Sequence, residues 1–172
     1  MKNPLSTISN LAYIIAGAFA LSANPAMGVF VILLGIASTG FHWTRSRAWH
    51  HFDIAAIYFV FWVAAGQMIA GELGMAIGFV IASICHWWYN FAPTVHRSRN
   101  STNIIGISGA FCLVAFAVQN PVLSTLHMTG WFIVALLIAK SANSYDEESA
   151  EYDRRHSLWH ICTGVGIYLL IA

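Results

Sequence analysis

Long apolar stretches fill most of this 172-residue sequence and constrain its fold more than any other feature. A helix needs about 20 predominantly apolar residues to cross the hydrocarbon core of a bilayer. Apolar residues make up 58% of the chain and charged residues only 9%, whereas a soluble domain is about 25% charged. The net charge of +1, without a basic patch, argues against a nucleic-acid partner. The chain is therefore predicted to be an integral membrane protein.

The apolar stretches predict an all-α fold, with a single transmembrane domain of seven helices over residues 1–172. Short connections that contain Gly or Pro separate most of the stretches, and the one long connection is 141–155. No strong internal repeat is visible, which weakens an inverted-repeat transporter interpretation. The predicted spans are 5–23, 26–44, 51–70, 73–91, 102–119, 122–140 and 156–172.

The basic residues predict the orientation in the membrane. With seven spans, every one of them falls on the same side as the N-terminus, and the other side has none. The positive-inside rule then places the N-terminus in the cytoplasm and the C-terminus outside. These residues are Lys2, Arg45, Arg47, Arg97, Arg99, Lys140, Arg154 and Arg155.

Polar residues that can support chemistry converge at one depth of the predicted fold. His42 ends the second span, Asp53 begins the third, and His156 and His160 begin the seventh on one helix face. Three neutral imidazoles suit Zn²⁺ and leave a fourth position for water. A carboxylate beside that water can take its proton. The Ser38 hydroxyl, one turn from His42, can donate to a developing oxyanion.

The histidines and cysteines elsewhere in the spans have simpler interpretations. His86 and His127 are predicted to make hydrogen bonds between helices. A pair of them could instead hold haem or carry protons, and a visible absorption spectrum separates haem from zinc. The cysteines are predicted to be small buried apolar residues rather than redox or metal groups, namely Cys85, Cys112 and Cys162.

Three segments resemble the alkaline ceramidases, a family within a wider group of seven-span hydrolases that includes the adiponectin receptors. IASTGFHWT, with Asp53 eleven residues after His42, looks like the S-x₃-H plus Asp signature of that family. HSLWHICTGVGIYLL is similar to the ceramidase H-x-x-W-H-x-x-T-G-x-G-x-Y segment, and NPLSTISNLAYIIAG to its N-terminal stretch. The resemblance runs from end to end, but its specificity lies in these segments.

The resemblance implies a zinc ion held by His42, His156 and His160, one per chain. It implies that Asp53 activates the attacking water and that Ser38 is the oxyanion donor. The implied reaction is hydrolysis of a lipid amide to a fatty acid and an amine such as sphingosine. The substrate is expected to enter from the bilayer, with the active site near the cytoplasmic face and no obligate protein partner.

The N-terminal stretch differs from that of the eukaryotic alkaline ceramidases. Eukaryotic alkaline ceramidases carry an acidic N-terminal stretch that binds calcium, whereas residues 1–12 contain no acid. No calcium site is therefore predicted.

The alternative function is a receptor or signalling protein of the adiponectin-receptor type, in which zinc is structural. Asp53 and Ser38 argue against it, since a closed structural site normally has four protein ligands and no use for a base.

Overall fold

The computed structural model describes residues 3–91, 94–120 and 122–171, and this part of the chain is helical without a strand. The side chains of Lys2, Arg97 and Arg99 lie outside the described residues. The helices are α1 Pro4–Ser9, α2 Leu11–Ala23, α3 Pro25–Thr44, α4 Arg47–Phe91, α5 Thr94–Gln119, α6 Val122–Ala142 and α7 Ala150–Ile171.

Helix α4 contains the predicted break between the third and fourth apolar stretches. Its backbone leaves the helical region at Ala70 and Gly71. Gly71 has φ +57° and ψ −136°, a conformation that glycine adopts without the steric penalty other residues meet. The break predicted at this glycine is therefore confirmed.

Within the described chain, four helical stretches are long and apolar enough to cross a membrane, by length and composition. They support the prediction of a membrane protein, and a shorter apolar helix covers Ile105–Gln119. The four stretches are Pro4–Ala23, Pro25–Thr44, Arg47–Asn90 and Ser124–Ala142.

Helix α7 begins six residues earlier than the predicted span. Its first turn is polar, and Glu151 accepts hydrogen bonds there from Arg155 at 2.6 Å and Arg154 at 3.5 Å. The Arg155 guanidinium holds the pKa of Glu151 below its usual value. Such pairs three and four residues apart stabilise a helix outside any apolar stretch, so hydropathy alone misses this turn.

The described chain divides into two compact units. The first contains Met1–Asp53 and Leu126–Ala172, and the second contains Ile54–Thr125. In the first unit, α2 packs against α3 and α7, and α1 against the same two helices. Glycines permit close packing there, because a Cβ on Gly35 would meet Ile14 and one on Gly164 would meet Ala12.

The second unit holds the hairpin formed within α4 around Gly71. A Cβ on Gly66 would collide with the Gly74 carbonyl, and one on Gly78 would collide with the Trp62 carbonyl. The two arms of the hairpin are therefore in backbone contact.

Candidate metal centre

Three histidines from two helices meet in the first unit. His42 lies in the last turn of α3, while His156 and His160 lie one turn apart on α7. One ring nitrogen from each lies within 4.8 Å of the others, and the ring centroids are 4.6–4.9 Å apart. The sequence prediction that these three side chains converge is therefore confirmed.

Hydrogen bonds fix the tautomer of His160. Its Nδ1 lies 3.1 Å from the carbonyl oxygen of Ser6 and 2.9 Å from the Ser9 hydroxyl. A carbonyl oxygen can only accept, so Nδ1 carries the proton and Nε2 keeps its lone pair. Metal-binding histidines usually donate their other ring N–H in this way. The imidazole is thereby oriented with Nε2 free to bind a metal.

Two ring nitrogens of this group have no partner among the described atoms. They are Nε2 of His160 and Nδ1 of His42, and both are buried. His160 is 0% exposed and His42 1% exposed. A buried polar atom without a partner costs about 1–3 kcal/mol, and a bound metal ion would remove that cost at a ligating nitrogen. Three imidazoles in this arrangement could hold a metal ion.

Aromatic side chains surround the imidazoles and limit their movement. The His156 ring stacks on Tyr152 at 4.9 Å and lies 5.2 Å from Trp159. Tyr13 meets the His160 ring edge-on at 5.7 Å and hydrogen-bonds Thr163 one turn further along α7. The ligand set is therefore held in shape by packing as well as by hydrogen bonds.

Asp53 and Ser38 form a second polar pair in the same unit. Both are buried, and the Ser38 side chain lies close to the Asp53 carboxyl. Oδ1 of Asp53 has no partner among the described atoms. Asp53 is not in the group that could hold a metal ion, which contains only the three histidines among the residues described. The pair leaves a carboxylate oxygen available to a ligand.

Among the described residues, the other histidines and cysteines do not join the cluster. His127 is exposed, and Nε2 of His86 pairs with Asn90 at 2.9 Å on its own helix. The three cysteines are free thiols, with Cys112 buried and Cys85 and Cys162 half-buried.

Residues around α1 were missed by sequence analysis. Asp153 belongs to an acidic run in the predicted long connection 141–155, yet it is buried and accepts hydrogen bonds from two backbone amides of α1. Ser6 and Ser9 contact His160. Asn10 is fully buried, and neither atom of its amide has a partner within the described structure. No sequence pattern predicts the burial of Asn10. The burial of Asp153 could have been predicted, because Asp153 lies seven residues before His160 on the same helix face.

Comparison with known proteins assigns no family to this chain. No protein-family model and no curated protein matches the chain. The features that bear on function are therefore the three histidines, the Asp53–Ser38 pair and the apolar helices that carry them.

Proposed function

We propose that this protein is a membrane-embedded, zinc-dependent amide hydrolase that cleaves a lipid amide to a fatty acid and an amine such as sphingosine, as the alkaline ceramidases do. The observation that carries the proposal is the convergence of His42, His156 and His160, two of them fully buried, with unpartnered ring nitrogens. The resemblance of the surrounding motifs to alkaline ceramidases gives the substrate class.

The proposed chemistry assigns one task to each polar group. The three imidazoles would hold a zinc ion, which would supply a Lewis acid and lower the pKa of a bound water. Asp53 accepts a proton from the attacking water as the water oxygen bonds to the amide carbon. Asp53 then returns the proton to the departing nitrogen as the C–N bond breaks. The Ser38 hydroxyl, which rotates freely between partners, turns from Asp53 to the developing oxyanion.

The proposed setting is a seven-span protein with its N-terminus in the cytoplasm. The helices that carry the histidines are apolar on their exposed sides, where Leu33, Ile36, Leu158 and Ile161 are all exposed. A water-insoluble substrate would approach laterally from the bilayer, and water would arrive from the cytoplasmic side. The proposed site therefore lies near the cytoplasmic face.

The test combines metal analysis with a substrate panel. Purified protein is incubated with lipid amides and esters, and released fatty acid is detected by mass spectrometry. We expect about one zinc per chain and release from at least one amide. His160→Ala should lose both zinc and activity, whereas His127→Ala, which removes an exposed histidine outside the cluster, should keep both.

Two results would overturn the proposal. Protein without bound metal, or with unchanged zinc in His160→Ala, would remove the metal centre. Full zinc occupancy with no fatty acid released from any amide would favour the receptor function instead.

A further inference from the structure

Helix α1 is held at both ends by side chains of α7. At its start, the Asp153 carboxylate accepts hydrogen bonds from the amides of Leu5 at 3.0 Å and Ser6 at 2.8 Å. At its end, Nδ1 of His160 meets the Ser6 carbonyl and the Ser9 hydroxyl. Asp153 and His160 are seven residues apart, or about 10 Å along the helix, which matches the length of the six-residue α1.

Asp153 takes over the role of a helix cap from a distant part of the chain. The first amides of a helix have no partner within it, and the residue before the helix normally supplies one. Here that residue is Asn3, whose side chain makes no cap and donates instead to the Glu147 carbonyl at 3.3 Å. Asp153, which is 6% exposed, supplies the missing cap instead. The start of α1 therefore depends on this carboxylate.

Ser6 joins the carboxylate to the candidate metal ligand. Its N–H donates to Asp153, its carbonyl accepts from His160, and its hydroxyl donates to the Asp153 carbonyl at 3.2 Å. The carbonyl that orients the His160 imidazole is thus fixed in place by a group that touches neither the imidazole nor a metal.

We infer that Asp153 is a positioning residue for the metal centre, which acts through Ser6 to hold His160 in its metal-binding orientation. The inference rests on the metal centre of the proposed function but not on its hydrolytic activity. Loss of a group that orients a metal-bound histidine typically lowers metal affinity 10–100-fold. Asp153→Asn should therefore weaken zinc binding by about that factor without removing a ligand.

The experiment measures zinc affinity by competition with a chelator of known affinity, in detergent-purified full-length protein. Four proteins are compared, namely wild type, Asp153→Asn, Glu148→Gln and His160→Ala. Glu148 is exposed, so Glu148→Gln makes the same change of charge nearby and should bind zinc as wild type does. Asp153→Asn should lie between wild type and His160→Ala. The visible spectrum of the cobalt-substituted protein should also change in Asp153→Asn, because the imidazole is less firmly oriented.

A second variant keeps the inference testable if Asp153→Asn does not fold. Ser9→Ala removes the other partner of Nδ1 while leaving the Asp153 contacts intact, and it should weaken zinc binding by a smaller factor. Hydrogen exchange supplies an independent measure, since zinc should slow exchange at the amides of Leu5 and Ser6 in wild type. Wild-type affinity and an unchanged cobalt spectrum in a folded Asp153→Asn protein would overturn the inference, as would absence of metal binding by wild type. Zinc binding without hydrolysis would contradict the proposed function alone.

Discussion

At the scale of single residues, the candidate site contains buried polar atoms that have no partner. Oδ1 of Asp53, Nδ1 of His42 and Nε2 of His160 are of this kind among the described atoms. Folded proteins rarely tolerate such atoms without a reason. A bound metal ion would give the two ring nitrogens a partner, and a water could donate to the carboxylate oxygen, so the cost of burying these atoms is consistent with the proposed function.

Asp53→Asn should separate metal binding from turnover. Asp53 is not in the histidine group, so the variant should keep most of its zinc. It should lose about 10²–10⁴-fold in turnover, because an amide side chain cannot take a proton from water. His42→Ala should instead lose zinc and activity together. Metal analysis beside the fatty-acid assay checks both, and loss of zinc in Asp53→Asn would show that Asp53 is a ligand or is needed for folding.

Asn10→Leu should preserve or increase stability. The Asn10 amide is fully buried and both its polar atoms are without partners in the described structure. Its burial therefore carries a desolvation cost of about 1–3 kcal/mol that an apolar side chain of similar size avoids. The melting temperature of the purified variant checks this expectation. A clear fall relative to wild type would mean that the amide has a partner in the folded protein.

At the scale of helices, close approach between backbones depends on glycine. In the hairpin of α4, the Gly66 and Gly74 backbones are in contact, and Gly71 has a positive φ at the turn. A side chain at Gly66 or Gly74 would push the two arms of the hairpin apart. Glycine therefore sets the packing of this hairpin as well as its turn.

Gly66→Ala should destabilise the protein, whereas Gly106→Ala should not. The added methyl group of the first variant would collide with the Gly74 carbonyl, and overpacking of this kind costs about 1–3 kcal/mol. Nothing in the described structure lies within 4 Å of a Cβ on Gly106, and alanine is favoured over glycine in a helix by roughly 0.5–1 kcal/mol. Thermal unfolding of both variants tests the difference, and equal melting temperatures would refute it.

Sequence patterns predict the apolar helices and the convergence of the histidines better than they predict the contacts around α1. Apolar length marks a helix, and a spacing of four residues places His156 and His160 on one face. The partners of Asp153 are 147 and 148 residues away in sequence, so no local pattern reveals them. An acidic residue in a charged run is therefore predicted to be solvated, and only the structure shows the distant amides that it caps.

At the scale of the whole molecule, metal binding should stabilise one unit directly. The three histidines belong to the unit that contains Met1–Asp53 and Leu126–Ala172. At a free zinc concentration 100 times the Kd, binding adds about 2.7 kcal/mol to the free energy of unfolding. Chelation should lower the melting temperature and speed hydrogen exchange most in α1, α7 and the end of α3. A uniform change that includes Ile54–Thr125, or no change, would contradict this expectation.

The distribution of basic residues also makes a prediction for the whole chain. Arg45 follows α3 and forms an ion pair with Glu147 at 3.2 Å, and Arg155 hydrogen-bonds Ser141. Within the first unit, the end of α3 and the connection between α6 and α7 therefore lie at the same end of the unit. Lys140 is in the last turn of α6. By the positive-inside rule we expect this end of the unit to face the cytoplasm.

Cysteine labelling tests that orientation. In a background where Cys85, Cys112 and Cys162 are replaced by Ala, Ser144→Cys introduces a thiol at an exposed position between α6 and α7. An impermeant thiol reagent should label it only from the cytoplasmic side. Glu72→Cys, exposed beside the break in α4, should react only from outside, and a C-terminal reporter that is active only in the cytoplasm should stay silent. Labelling of Ser144→Cys from outside would reverse the topology, and with it the proposed entry of water to the site from the cytoplasm.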